Sequence, residues 1–193
     1  MKLETRRLIL RNPTKKDVND LVEGLNNLKV SENVSSVPYP YTEKDATWWI
    51  NHCNEKKKKK ESFIFEIELR EEKKLIGACG LHKYDKFCES IEIGYWVNEK
   101  YWRRGIITEA AVAVIDFAFK KLKVNRIELG AYKENVASNS VAKKLGFTYE
   151  GTTRQSHKTK ATKKIHDLNV YSMLKKEWPK NKKRLEKEMK KYE

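Results

Sequence analysis

Hydrophobic and polar residues repeat along the chain with two periods, one typical of strands and one typical of helices. Alternation with a period of two predicts β-strands at residues 8–11, 62–69, 75–81, 91–97, 126–132, 148–155 and 165–174. Apolar residues at helical spacing predict helices after Thr14, after Thr42, from the junction near residue 105 to about Leu122, and after Asn135. These elements predict one α+β domain without an internal repeat.

The order of these elements predicts parts of the sheet. Residues 62–69 and 75–81 flank a short charged turn and predict a hairpin. Residues 91–97 and 126–132 are separated by the long central helix, so a crossover connection should make these two strands parallel. The first helix has an apolar stripe formed by residues at helical spacing: Val18, Leu21, Val22, Leu25 and Leu28.

Charged segments predict the boundaries of the domain. Residues 55–61, which contain five consecutive lysines, predict a solvated linker, with a phosphate-binding patch as the alternative. The last segment is rich in lysine and glutamate and shows little apolar face after Trp178. We therefore expect a domain over residues 1–178 and a charged helical tail over residues 179–193.

Composition adds expectations about partners and compartment. The 193 residues include 42 Lys and Arg and 27 Asp and Glu, a net charge of +15 that favours acidic partners such as phosphates, RNA or a ribosome surface. Three cysteines without CxxC spacing, and no leader, predict reduced thiols and a cytoplasmic setting. No run is long enough to cross a bilayer, and the four histidines lack metal-ligand spacing, so neither a membrane nor a metal is expected.

The junction between the strand at 91–97 and the central helix carries the clearest chemistry. A helix start leaves backbone N–H groups without partners and favours negative charge. Arg103 and Arg104 add positive charge, Gly105 allows positive φ or close backbone approach, and Thr108 can donate a hydrogen bond. This combination predicts an anion site suited to a diphosphate, although Arg-Arg-Gly also occurs in ordinary loops.

An ordered set of motifs surrounds this junction: residues 3–11 (LETRRLILR), 91–96 (IEIGYW), 135–138 (NVAS), 144–147 (KLGF), 167–174 (DLNVYSML) and 177–178 (EW). In order and spacing, the set resembles the GNAT superfamily of acyl-CoA-dependent N-acetyltransferases. Within that superfamily it is similar to the branch that acetylates the N-termini of ribosomal proteins. The resemblance implies a single domain with a mixed central sheet, flanked by helices, whose parallel fourth and fifth strands splay apart.

The resemblance also implies acetyl-CoA as co-substrate. Backbone groups of the loop would cradle its pyrophosphate, the strand after Gly94 would run along the pantetheine arm, and a polar residue at the next helix start would contact that arm. These positions are Arg103, Arg104, Gly105, Ile106, Ile107 and Thr108 in the loop, Tyr95, Trp96 and Val97 on the strand, and Asn135. Arg103 occupies a place where the branch has a glycine, and Ile107 replaces a small residue.

Two residues are candidates for the chemistry implied by the resemblance. Glu92 is a candidate base for the acceptor amine, with a structural strand carboxylate as the alternative. Ser138 is the candidate to assist thiolate departure, because the tyrosine many family members use is Ala142 here. Asn135 and Ser138 together also fit a plain helix N-cap.

We expect transfer of acetyl to a primary amine, and the N-terminal α-amine of a protein fits best. An α-amine, with a pKa of about 7.7–8.0, needs less help from a base than a lysine does. A small amine, such as a polyamine or antibiotic, and a non-catalytic ribosome- or RNA-associated module are the alternatives. Acceptor contacts should come from residues 31–41, the second helix and the last hairpin; monomer and homodimer both remain open.

Overall fold

A computed structural model of the chain describes residues 2–190. Residue 1 of the predicted domain and residues 191–193 of the predicted tail lie outside this range. The eight strands are β1 Lys2–Glu4, β2 Leu8–Arg11, β3 Phe63–Leu69, β4 Lys74–Asp85, β5 Ser90–Val97, β6 Arg126–Tyr132, β7 Thr148–Lys158 and β8 Ile165–Leu174. The six α-helices of the described residues are α1 Val18–Leu25, α2 Leu28–Ser31, α3 Glu43–Lys58, α4 Ile106–Phe117, α5 Val136–Leu145 and α6 Trp178–Lys190.

The strands form one mixed sheet in the order β1-β2-β3-β4-β5-β6-β8-β7. All neighbours are antiparallel except β5 and β6, which are parallel and joined through α4, so the predicted crossover is confirmed. These two strands pair at three positions only, the last being Glu92 with Glu128. Beyond that pair they diverge, and the end of β5 has no strand partner on that side.

Each face of the sheet is covered by a different set of helices, because alternate residues of a strand point to opposite faces. Ile91 and Ile93 of β5 belong to the main core, which includes side chains of α4, α5 and α6. Trp96 of the same strand belongs to a second core, formed with α1, α3 and the loop before α3. We call these the α4 face and the α3 face of the sheet.

Three local expectations are corrected by the structure. The first helix ends at Leu25, and Asn27 caps the separate short α2, so Leu28 is 39% exposed rather than part of a buried stripe. Residues 55–58 continue α3 instead of forming a linker. The last segment does carry an apolar face, since Leu185 of α6 is fully buried in the main core. The division at residue 178 stays a prediction.

Candidate active site

The loop before α4 has two residues in the left-handed backbone region. Arg103 has a φ of 61° and Gly105 a φ of 72°. The hydrogen bond from Glu109 N–H to the Gly105 carbonyl, 3.0 Å long, opens the helix. The amides of Gly105 and of the first three residues of α4 therefore have no partner within the helix, and anion binding at this end stays a prediction.

A buried carboxylate holds this loop to the start of the chain. Glu109 accepts hydrogen bonds from the Thr5 hydroxyl at 2.6 Å, the Arg7 backbone N–H at 2.9 Å and Arg7 Nε at 2.7 Å. Arg7 Nη1 donates to the Arg104 carbonyl at 3.0 Å. Burial alone would raise the pKa of Glu109, but the bonds from Thr5 and Arg7 hold that pKa below its ordinary value. Sequence reasoning missed this brace, whose partners lie more than 100 positions apart.

The side chains of the loop divide between solvent and core. Arg103 and Arg104 are exposed, and the Arg104 guanidinium lies over the Tyr101 ring at 5.3 Å from its centroid. Ile106 and Ile107 are buried in the main core. Ile107, which replaces a small residue of the family pattern, therefore packs in the core beneath the loop and holds the start of α4 there.

A cleft of about 1960 Å³ includes the gap between β5 and β6. Tyr95, Trp96 and Val97 line it on one side, and the end of β6 with the start of α5 lines it on the other. The Trp96 side chain is buried in the second core. Asn98 N–H donates to the Ile76 carbonyl on β4, so by alternation the main-chain groups of Trp96 also point to β4, and those of Tyr95 and Val97 point to the gap. The Val97 carbonyl accepts a 2.9 Å hydrogen bond from Trp102 Nε1 and is already satisfied.

Two hydroxyl groups meet across this gap. Tyr95 Oη lies 3.1 Å from Ser138 Oγ and also donates to the Ser138 carbonyl at 3.3 Å. Burial raises the pKa of Tyr95, so its phenol is protonated at neutral pH. Asn135 Oδ1 accepts from Ser138 N–H at 3.0 Å, which is the N-cap predicted as the structural alternative. A role for Asn135 toward the pantetheine arm stays a prediction.

Glu92 lies on the α3 face at the last position where β5 pairs with β6. Its side chain is half-buried and accepts a 2.7 Å hydrogen bond from Lys83 Nζ in an ion pair. Its cross-strand partner on β4 is His82. The candidate base named from the sequence is therefore engaged with a lysine and adjoins an imidazole.

His82 lines the cleft, and sequence reasoning did not single it out. The half-buried ring overlies two glycines: a Cβ added at Gly80 would meet Nε2 at 2.9 Å, and one added at Gly94 would meet it at 3.8 Å. Burial is the largest influence on the pKa of His82 and lowers it, while Glu92 opposes that effect. The signal was present in β4, where alternation aligns Ala78, Gly80 and His82 on one face.

The three segments expected to face the acceptor line the same cleft. On α3, Trp48 and His52 stack with ring centroids 4.8 Å apart. The loop before α3 meets the last hairpin through a 3.1 Å hydrogen bond from Lys160 N–H to the Ser35 carbonyl. Their contact with an acceptor stays a prediction, although they form one continuous wall.

Beneath this wall lies a buried acid. Glu66 of β3 is fully buried on the α3 face, accepts a 3.1 Å bond from Trp49 Nε1, and leaves Oε2 without a partner. Burial raises the pKa of Glu66 to about 8. This carboxyl is therefore largely protonated near neutral pH.

Two other classes of site were expected to be absent. Within residues 2–190, no group of three His, Cys, Asp or Glu side chains is arranged to hold a metal ion. In the same range, every helix is too short or too polar to span a bilayer.

Known proteins resemble the whole of this architecture. Residues 7–148 match the family described as the acetyltransferase (GNAT) domain. The uncharacterized N-acetyltransferase YoaA of Bacillus subtilis (strain 168) is 33% identical over 178 residues, covering 90% of this chain and 96% of YoaA. The ribosomal-protein-serine acetyltransferase of Escherichia coli (strain K12) is 29% identical over 103 residues, covering 53% of this chain and 56% of the relative.

A solved structure extends the likeness to the fold. The microcin C7 self-immunity acetyltransferase MccE, in complex with acetyl-CoA and AMP, aligns with a TM-score of 0.78 and 21% identity. The alignment covers 88% of this chain and 93% of MccE. From the family match, the YoaA relative and the shared fold, we conclude that the chain belongs to the GNAT family and is an acetyl-CoA-dependent N-acetyltransferase.

Proposed function

We propose that this enzyme acetylates the N-terminal α-amine of a protein, such as a ribosomal protein. The observation that carries the proposal is the divergence of β5 from β6 beyond Glu92 and Glu128, inside a cleft that also has a wall of three segments. Beyond the part that acetyl-CoA would fill, the cleft continues along residues 31–41, α3 and the last hairpin, a wall long enough for an extended peptide to contact. The ribosomal-protein-serine acetyltransferase of E. coli supports the same acceptor class.

The residues at the start of α4 fit a diphosphate. Their amides have no partner within the helix, and a Cβ added at Gly105 would meet only Arg7 Nη2, at 3.7 Å. The open space above Gly105 lets a ligand approach the backbone closely. Arg103 to Thr108 would hold the pyrophosphate of acetyl-CoA, and the exposed guanidinium groups of Arg103 and Arg104 would add charge.

The end of β5 fits an extended arm. Residues 95–97 border the gap, where β5 has no strand partner among residues 2–190, so the main-chain groups of Tyr95 and the N–H of Val97 can hydrogen-bond to a ligand as they would to a further strand. Asn135, at the start of α5, borders the other side. When bound, acetyl-CoA supplies an acetyl group as a thioester, whose carbonyl carbon an amine can attack.

Ser138 and Tyr95 are suited to assist departure of the thiolate. Their hydroxyl groups lie 3.1 Å apart at the gap, and Tyr95 keeps its proton at neutral pH. A hydroxyl pair of this kind can donate a hydrogen bond or a proton to a sulfur that gains negative charge. Ser138 would then act together with Tyr95.

The acceptor class can be tested by measuring CoA release with matched acceptors. Short peptides with a free N-terminus should stimulate release, and the same peptides blocked at the N-terminus should not. Polyamines and aminoglycosides test the small-amine alternative directly. Release with small amines alone would contradict the proposed acceptor.

The non-catalytic alternative has its own signature in the same experiment. The net charge of +15 makes some RNA binding expected by electrostatics alone, so binding by itself does not separate the two functions. Tight RNA binding together with no CoA release under any acceptor would favour the non-catalytic module. Peptide-dependent release would exclude it.

A further inference from the structure

His82 has the surroundings of a group that exchanges protons. The ring lines the cleft, and none of the hydrogen bonds found among residues 2–190 involves its nitrogens. Gly80 and Gly94 lie beneath it and add no side chain between it and the cleft. Gly94 is two residues beyond Glu92, where β5 has already left β6, so the ring lies beside the gap.

Glu92 is less available for the same task. Its carboxylate is paired with Lys83 at 2.7 Å, and taking up a proton would break that ion pair. Glu92 and His82 are cross-strand partners on the same sheet face. Glu92 can therefore support a positive imidazolium without accepting the proton itself.

We propose that His82 is the base that accepts the proton released by the acceptor amine. This inference rests on the proposed function only in requiring that an amine is acetylated, whichever amine it is. Glu92 then acts as the positioning carboxylate that stabilises the charged ring.

The proposed step balances in bonds and protons. The acceptor nitrogen bonds to the acetyl carbon while the carbon–sulfur bond breaks, and one proton passes from that nitrogen to the imidazole of His82. The Tyr95–Ser138 hydroxyl pair donates one proton to the departing sulfur. Solvent in the cleft then takes the proton from His82 and returns one to the hydroxyl pair.

The charged and titratable groups around His82 set the pH at which it can act. Glu92 of β5 raises the pKa of His82, while Lys83 of β4 and His52 of α3 lower it, and burial lowers it most. The pKa of His82 therefore lies below the ordinary value of about 6.5. The ring is neutral at pH 7 and can accept a proton there.

The kinetic test compares pH profiles of the wild-type enzyme and the His82→Gln variant. We expect kcat to fall about 100-fold or more, with the KM for acetyl-CoA nearly unchanged, because general-base catalysis contributes about 10²–10⁴-fold. In the wild type, the slope of log(kcat/KM) against pH should become steeper below the pKa of His82. Below that pH the reaction is blocked by a proton on His82 as well as by the proton on the acceptor amine. His82→Gln should lose that steepening and keep only the ionisation of the acceptor amine.

Two further variants locate the effect. Glu92→Gln removes the group that raises the pKa of His82, so the steepening should move to lower pH. His52→Gln, a change at a second histidine lining the cleft, removes a group that lowers the pKa of His82, so the steepening should persist and move to higher pH. Loss of the steepening in Glu92→Gln, with its retention in His82→Gln, would assign the base to Glu92 and overturn the proposal.

A readout independent of turnover is the titration of the imidazoles by NMR in the free protein. The resonance lost in His82→Gln should titrate below about 6.5, at the pH where the kinetic profile steepens. A His82 pKa that differs from the kinetic value would overturn the proposal. If only small amines are acetylated, the proposed acceptor class fails, yet His82 can still be judged with those amines.

Discussion

The two parts of the cleft differ in the kind of group that they expose, backbone amides in one and side chains in the other. At the N-terminal end of α4, which we call the α4 mouth, the groups that would face a ligand are backbone amides. The hydrogen bonds among Thr5, Arg7 and Glu109 hold this end in place. On the α3 face, the groups that face a ligand are side chains such as Trp48 and His82, contributed by separate elements.

This difference indicates that the two parts of the cleft have separate roles. Backbone amides persist when side chains change, so the α4 mouth suits the part of the reaction that stays constant, the coenzyme. Side chains on α3, β4 and the last hairpin can vary without disturbing those amides. We therefore propose that acceptor choice is set on the α3 face, so changes in the two parts should affect different measured quantities.

The largest effect is expected at Gly105. Gly105→Val should reduce acetyl-CoA affinity at least 100-fold, because a branched side chain would fill the space above the amides. Because valine would have to adopt the left-handed φ of 72°, the free energy of unfolding should also fall by about 1–2 kcal/mol. Isothermal titration calorimetry checks the affinity and circular dichroism checks the fold; unchanged affinity in a folded variant would contradict the proposed diphosphate site.

The hydroxyl pair at the gap should affect turnover and leave coenzyme binding nearly intact. Ser138→Ala should lower kcat by about 10- to 100-fold, since one of the two hydroxyl groups is lost and the Tyr95 hydroxyl keeps only the Ser138 carbonyl as a partner. Tyr95→Phe should act in the same direction. Stopped-flow measurement of a single turnover tests the chemical step, and an unaltered rate in Ser138→Ala would remove that residue from the mechanism.

The brace should affect coenzyme affinity more than turnover. Glu109→Gln keeps an acceptor for Thr5 but loses the charge that pairs with Arg7, so we expect about tenfold weaker binding of acetyl-CoA, or about 1.4 kcal/mol. Asp116→Asn is a matched control on the same helix, since Asp116 binds Trp178 and Lys182 away from the loop. Equal affinities in the two variants would show that the brace does not shape the loop.

Beneath the α3 face, Glu66 should make stability depend on pH. Its pKa rises from 4.5 to about 8 on folding, so the folded state holds the proton more tightly. The free energy of unfolding therefore falls as pH rises from about 4.5 to 8. Glu66→Gln removes this loss, so the melting temperature of the variant should rise relative to that of the wild type as pH increases across that window, by ~2–4 °C for each kcal/mol that the wild type loses.

Asp17 provides a control of opposite sign for that measurement. The net effect of its surroundings is a lowered pKa: burial raises it, but the bonds from Arg11 and Thr14 outweigh burial. Its stabilising contribution is present above the unfolded value of about 3.8 and is lost as pH falls through the lower folded value. The deficit of Asp17→Asn should therefore shrink on acidification, and a parallel trend in both variants would contradict the assigned pKa shifts.

The smallest effect is expected at Arg103. Its φ of 61° is a conformation that glycine adopts more easily, so Arg103→Gly should leave stability unchanged or slightly higher. The loss of one exposed charge should weaken acetyl-CoA binding only a few-fold, and less at high salt. A loss as large as that in Gly105→Val would show that the arginine side chain, and not the loop backbone, dominates binding.

The α4 mouth was predictable because its signals are local. Gly105 precedes an apolar helix and follows an apolar strand, and Asn135 precedes a shorter helix, so each signal lies within a few residues of the feature it predicts. The parallel pairing of β5 and β6 followed from the helix between them. These parts of the fold are confirmed by the structure.

The brace and the α3 face could not be predicted in the same way. Thr5 and Arg7 meet Glu109 only because the turn between β1 and β2 lies beside α4 in the folded chain. Glu66 alternates with Phe65 and Ile67, so the local pattern does not indicate its burial, but α3 covers that face of the sheet. His82 lies over glycines on two strands, and the alternation within β4 indicates only one of them, Gly80.

The most direct test of this account is a crystal structure of the enzyme with acetyl-CoA. The pyrophosphate should accept hydrogen bonds from amides of residues 103–108, and the arm should lie between β5 and β6. The acetyl group should then have the Tyr95–Ser138 pair on one side and His82 on the other. A coenzyme bound elsewhere, or β5 and β6 paired beyond Glu92 and Glu128 with no room between them, would contradict it.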